Sequence, residues 1–161
     1  MARKIYERNG PHLAELHPSF RLRILALMGV LAQKGILVLL TRSYASREAQ
    51  RRLHATFLAG DGPRAAPENR SWHRYRLAID GIPFRDADSD LVLDREELTW
   101  DVEVPVWEVF AKTAEELGMR SGSSFGDWPH VEWHPGLTID QAEALGSYSL
   151  DNLGIWRRIF A

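Results

Sequence analysis

At 161 residues, with 45% hydrophobic and 26% charged side chains, the chain has the make-up of a single globular domain, residues 1–161, rather than of a disordered or fibrous protein. A formal net charge of −2 supplies no basic stripe, so no nucleic-acid partner is expected. Cysteine is absent, which excludes disulfides and thiolate metal sites and leaves the redox compartment open.

Residues 1–12 are charged, read as an N-terminal arm, and lack the apolar core of a secretory signal. Leu16, Phe20, Leu22, Ile24, Leu25, Leu27, Met28 and Leu31 recur at mostly helical spacing, with Pro18 near the start and Gly35 as a stop, which predicts a core helix. Residues 36–40 are a short continuous apolar run, hence a buried strand. Arg23, Gln33, Lys34 and Gly35 interrupt the apolar stretch 22–40, so no integral membrane segment is expected. Ser46 is placed to cap a helix over 47–57, in which His54 reads as an exposed residue. The glycine- and proline-rich loop 58–70 follows, of the kind that forms a cleft wall beside a site. Pro105 opens and Gly118 closes an amphipathic helix whose stripe is Val106, Val109, Phe110, Ala114 and Leu117. Thr138 and Gln141 form a capping box for a helix over 139–145. Residues 136–161 read as a C-terminal extension. In it Leu150, Leu153, Ile155, Trp156, Ile159 and Phe160 form an apolar segment that either packs on the core or touches membrane or wall.

The chemistry concentrates in Ser71-Trp-His-Arg-Tyr-Arg-Leu-Ala-Ile-Asp80 and Asp127-Trp-Pro-His-Val-Glu132. A hydrolytic zinc wants three nitrogen or oxygen ligands, an open position for water, and a nearby carboxylate that is not a ligand. Two histidines, one ligand carboxylate and one spare carboxylate satisfy that demand. His73 and Asp80 are an odd number of residues apart, so an unbroken strand would turn them to opposite faces. A loop or bulge must separate them, with residues 77–79 entering a strand. His134 would lie about 13 Å from His130 along a strand and is left out of the ligand set.

Ser-x-His-x-x-x-x-Ala-x-Asp followed by Asp-x-Pro-His-x-Glu resembles the zinc D-alanyl-D-alanine carboxypeptidase and L-alanyl-D-glutamate endopeptidase family, over a span from about Leu13 to Trp133. The resemblance implies an α+β fold, a small antiparallel sheet carrying the zinc site and packed against helices. It implies Zn2+ held by His73, Asp80 and His130, with Asp127 as catalytic base and Glu132 orienting a ligand imidazole. Arg42 would bind a substrate carboxylate or the developing oxyanion; the competing reading is a surface arginine paired with Glu48. Ser43 and Gln50 would contact substrate, Gln50 alternatively bracing its loop.

The implied substrate is the peptide stem of bacterial peptidoglycan. Aspartate rather than glutamate at position 127 favours the L-alanyl-D-glutamate bond over carboxypeptidase action at D-alanyl-D-alanine. An alternative of another class is a non-catalytic zinc and calcium binding module, as in the Hedgehog signalling domain that resembles this family. A monomer is expected, made in the cytoplasm and reaching the wall by phage-type release. One departure stands out: the family usually has glycine where this chain has Arg76, which suits a negative φ or else crowds the cleft or reads substrate charge.

Asp86, Asp88, Asp90, Asp94 and Glu97 fall at positions one, three, five, nine and twelve of a calcium loop, making Ca2+ a candidate second ion. Leu91 stands where such a loop wants glycine, and 82–85 is a poor entering helix. A solvated acidic turn capping a helix near Arg95 is the competing reading.

Overall fold

The computed structural model describes residues 4–144; residues 145–161, with the expected apolar tail, lie outside them. The long apolar stretch divides as its glycine predicts. Helix α2 spans Pro18–Gln33, and Gly35, at φ 68°, turns the chain into strand β1, Ile36–Arg42. Helix α3, Arg47–Leu58, starts on Ser46, whose hydroxyl accepts the Ala49 amide at 3.1 Å. Strand β2 is Ala78–Arg85, helix α4 Pro105–Glu116, β3 Arg120–Ser121, β4 His130–Glu132 and α5 Ile139–Ala144. Thr138 and Gln141 close the expected capping box at the start of α5.

The four strands form one antiparallel sheet in the order β1-β2-β4-β3. Phe20, Ile24, Leu27 and Leu31 of α2 join Val106, Phe110 and Ala114 of α4 in the core, whereas Leu22 and Leu25, counted with the core set from the sequence, fall on the outer face of α2 and are exposed. Trp107, outside the expected stripe, is fully buried and donates its indole N–H to the Thr99 carbonyl at 3.3 Å. Ile79 pairs with Val131, and both are buried in the core. The next pair, Asp80 with His130, faces the other way because side chains alternate along a strand. The architecture is α+β, as expected, and among the described residues no helix is long and apolar enough to cross a membrane.

Residues 1–12, expected as an arm, are helical from Ile5 onward. Helix α1 spans Ile5–Glu15 and packs along β1. No apolar stripe betrayed it, because its anchor is a polar residue. The Asn9 amide, fully buried, donates to the Val38 carbonyl at 2.7 Å and accepts the Leu40 N–H at 2.9 Å. One side chain thus serves the edge of β1 as a neighbouring strand would. Replacing Asn9 with alanine strands a buried donor and a buried acceptor, which should destabilise the fold by roughly 2–4 kcal/mol. Urea unfolding of the variant against the parent reads that loss directly, and an unchanged midpoint would refute it.

Candidate metal centre and its cleft

Asp80 lies directly opposite His130 on β4 and opposite Arg42 on β1, so the three form one row across the sheet. A register shift between Leu40 and Arg42 creates that row. Without this bulge Thr41 would face Asp80 and Arg42 would point to the other side; a bulge re-aims one side chain in this way. His73 reaches the same place from outside the sheet. Trp72–Tyr75 form a turn of 3-10 helix, and Arg76 reverses the chain into β2 with φ 61°. This is the break that the odd spacing of His73 and Asp80 demands.

Arg76 therefore takes the left-handed conformation that glycine favours, not the negative φ expected to accommodate an arginine. Its side chain avoids the cleft: the guanidinium lies 4.0 Å over the Tyr44 ring and donates to the Glu15 carbonyl at 2.9 Å. Neither crowding of the cleft nor substrate reading by Arg76 is supported by that position.

His73, Asp80 and His130 each bring a ligand atom within 4.8 Å of the others. Asp80 Oδ1 is 3.2 Å from His73 Nε2 and 3.2 Å from His130 Nδ1. The far nitrogen of each ring is held. His73 Nδ1 donates to the Ser43 carbonyl at 2.7 Å, and His130 Nε2 faces Glu132 Oε2 at 2.8 Å. These outer bonds fix which nitrogen offers its lone pair inward, the usual support for a metal-bound imidazole. Two imidazole nitrogens and one carboxylate oxygen are the donor set that suits zinc with an open position. The residues fit the ion.

Burial holds His73 below its ordinary pKa despite the opposing charge of Asp80, so the ring is neutral and can offer that lone pair. For His130 burial is the largest influence and lowers the pKa, but hydrogen bonds to Asp80 and Glu132 outweigh it and push it up to about 9. Glu132 is held well below the carboxylate range: burial opposes this, and the bonds from His130 and His134 overcome it. Burial would likewise raise Asp80, but the charge of His73 and the bonds from both histidines carry it far down. Asp127 is different. Burial, then the charge of Asp80, raise its pKa, which is the direction a proton-shuttling carboxylate needs.

Arg42 is tied to the centre, not to Glu48, which pairs with Arg52 instead. Arg42 Nε binds Asp80 Oδ2 at 2.8 Å, and Nη2 lies 3.0 Å from His73 Nε2. A cation taken by the three ligands would claim the His73 lone pair and release that Nη2 hydrogen.

Ser43 and Gln50 do not line the cleft. The Ser43 hydroxyl is buried against Glu15, to which it donates, and lies 3.0 Å from His12 Nδ1. Its contribution is the carbonyl that holds His73. Gln50 is fully buried and donates to the Ala66 carbonyl at 2.7 Å, bracing the wall loop. His54, expected to be exposed, lies in that wall with Nδ1 2.7 Å from the Ala65 carbonyl. His134 stays outside the cluster, stacked 4.0 Å from Trp72 and 3.1 Å from Glu132 Oε1.

A cleft of about 470 Å³ opens over the centre, lined by Arg42, His73, Asp127 and His130 on the sheet side and by Arg64, Ala65 and Pro67 on the loop side. Gly122 sets the turn that carries Asp127. A Cβ there would sit 2.1 Å from the Asp127 carbonyl oxygen and 2.9 Å from His130 Cβ.

The acidic loop only half assembles. Asp86, Asp88 and Glu97 converge, whereas Asp90 accepts the Val92 amide at 2.7 Å and Asp94 shares a capping box with Glu97. Five ligands at calcium-loop positions do not meet here. Leu91 adopts φ 63°, the conformation glycine would have supplied, while its carbonyl accepts the Ile5 amide at 2.8 Å.

Two outcomes are expected. Gly122→Ala should destabilise the protein by about 1–3 kcal/mol through overpacking, measured by denaturant unfolding. In protein freed of metal by a chelator, folded His130 keeps its proton to about pH 9 against 6.5 for the free side chain. Its contribution is then complete below pH 6.5 and fades as pH rises through 9. Glu132→Gln should flatten that decline in unfolding free energy; an equally steep decline would contradict it.

No protein-family model matches the chain. It is 29% identical over 130 residues to the peptidoglycan L-alanyl-D-glutamate endopeptidase CwlK of Bacillus subtilis (strain 168), a match covering 78% of this chain and 77% of that protein. Among solved structures, the Serratia marcescens L-Ala D-Glu endopeptidase ChiX is similar at a TM-score of 0.49 and 20% identity, over 84% of this chain and 90% of that one. The sequence likeness is thus to a peptidoglycan L-alanyl-D-glutamate endopeptidase, and the two segments that carry the family resemblance meet in one cleft of this chain.

Proposed function

We propose that the chain is a zinc-dependent peptidase of bacterial peptidoglycan that hydrolyses the L-alanyl-D-glutamate bond of the stem peptide. The observation that carries the reading is the convergence of His73, Asp80 and His130 on one cleft with both imidazoles fixed by outer hydrogen bonds. The name of the Bacillus relative supports the choice of bond.

Zinc bound there would supply Lewis-acid activation of water and of the amide carbonyl, bringing the water's pKa to roughly 7. The protein's own groups do the rest. Asp127, with its raised proton affinity, takes a proton from the attacking water at its carboxylate and returns it to the leaving amine nitrogen. Arg42 keeps its Nε on Asp80 and turns the released Nη2 hydrogen toward the oxygen that gains charge. Glu132 and the Ser43 carbonyl hold the two rings against rotation throughout.

The test is incubation of the purified protein with defined muropeptides, with and without a zinc chelator, followed by mass spectrometry of the fragments. A chelator-sensitive product beginning at D-glutamate is expected. Release of a terminal D-alanine instead would transfer the chain to the carboxypeptidase branch, and no cleavage by zinc-loaded protein would favour a binding module. Asp127→Ala should lower kcat at least about 100-fold, within the range for lost general acid–base catalysis, while zinc content stays at the parental level. Undiminished turnover would sink the role given to Asp127.

A further inference from the structure

The cleft is lined by four arginines, Arg42, Arg64, Arg70 and Arg120. Three of them meet a carboxylate: Arg42 meets Asp80 at 2.8 Å, Arg70 meets Asp140 at 2.8 Å, and Arg120 meets Glu132 at 3.0 Å. Arg64 meets none among the described residues. Its Nη1 donates to the Phe125 carbonyl at 2.7 Å, and its guanidinium lies 5.8 Å from the Phe125 ring. Arg120 approaches the same ring at 5.0 Å. A guanidinium carries five N–H donors in a planar fork suited to a carboxylate, and this bond occupies one of them.

The position of Arg64 matters as much as its spare donors. It projects from the 58–70 loop to the segment that delivers Asp127, and its positive charge acts on the Asp127 carboxyl. Asp127 is the group that protonates the leaving amine in the reading above, so whatever carries that amine leaves on the Arg64 side. When the leaving residue is glutamate it brings its own charge. Glutamate has two carboxyl groups and the peptide continues through at most one, so at least one stays ionised a few bonds from the amine.

We propose that Arg64 is the specificity-determining residue that binds the free carboxylate of the glutamate on the leaving side of the scissile bond. The assignment rests on the endopeptidase reading. It predicts discrimination between a glutamate and its uncharged amide at that position, a distinction that the metal ligands and Asp127 have no means to make.

The experiment compares two synthetic stem peptides, one with the glutamate carboxylate free and one with it amidated, on zinc-loaded parent, Arg64→Gln and Arg64→Lys proteins. The parent should favour the free carboxylate, chiefly in KM. Arg64→Gln should lower kcat/KM for that peptide about ten-fold, the order expected for one charge-assisted pair, and change the amidated peptide little. Arg64→Lys should recover part of the preference. Calorimetry with the D-glutamyl product should show the same ordering of affinities without turnover. Equal losses on both peptides would mean that Arg64 only straps the loop to Phe125, and would overturn the proposal. So would a parent enzyme indifferent to amidation. A parent that cleaves neither peptide would bring down the endopeptidase reading and this assignment with it.

Discussion

The Asp80 carboxylate is the interaction on which the centre is built. One oxygen lies between two imidazoles and the other binds a guanidinium, so a single half-buried anion meets groups from three segments of chain. Such an anion is costly to bury unless fully partnered, and here the partners hold it firmly ionised. The local irregularities of the sheet serve that partnership. The bulge turns Arg42 onto the face of Asp80, and the 3-10 turn with its left-handed Arg76 brings His73 in from outside the sheet.

Around this anion runs a second layer that the chain supplies from unexpected places. Helix α1 contributes Glu15, which holds Ser43, whose carbonyl in turn holds His73. On the other side Glu132 is shared by His130, His134 and Arg120. Sites carried on strands and braced in this way keep their ligands in one geometry, which favours a defined donor set over an adaptable one.

What the sequence made legible follows from what kind of signal each element leaves. The apolar repeats of α2 and α4, the Ser46 cap and the two motif segments announce themselves, because periodicity and chemistry coincide there. Helix α1 does not, since its key contact is the amide of Asn9 and not an apolar stripe. Ser43, assigned to substrate by resemblance, is instead buried against Glu15 and His12 of α1, a contact across some thirty residues that no local pattern announces. The tie between Arg42 and Asp80 spans two strands that lie far apart in sequence, and no local pattern encodes it. Arg64 lies in a loop without periodicity, and its importance appears only once the other arginines of the cleft are seen to have carboxylate partners.

Asn9 has a consequence beyond folding. An outer strand with free amide and carbonyl groups is a template on which another molecule's strand can be laid. By occupying Val38 and Leu40 with one side chain, α1 takes away that template at the middle of β1. The helix thereby acts as a guard against self-assembly. Alterations at the beginning of the chain would then register in how well the protein stays dispersed at high concentration before they register in what it can cleave.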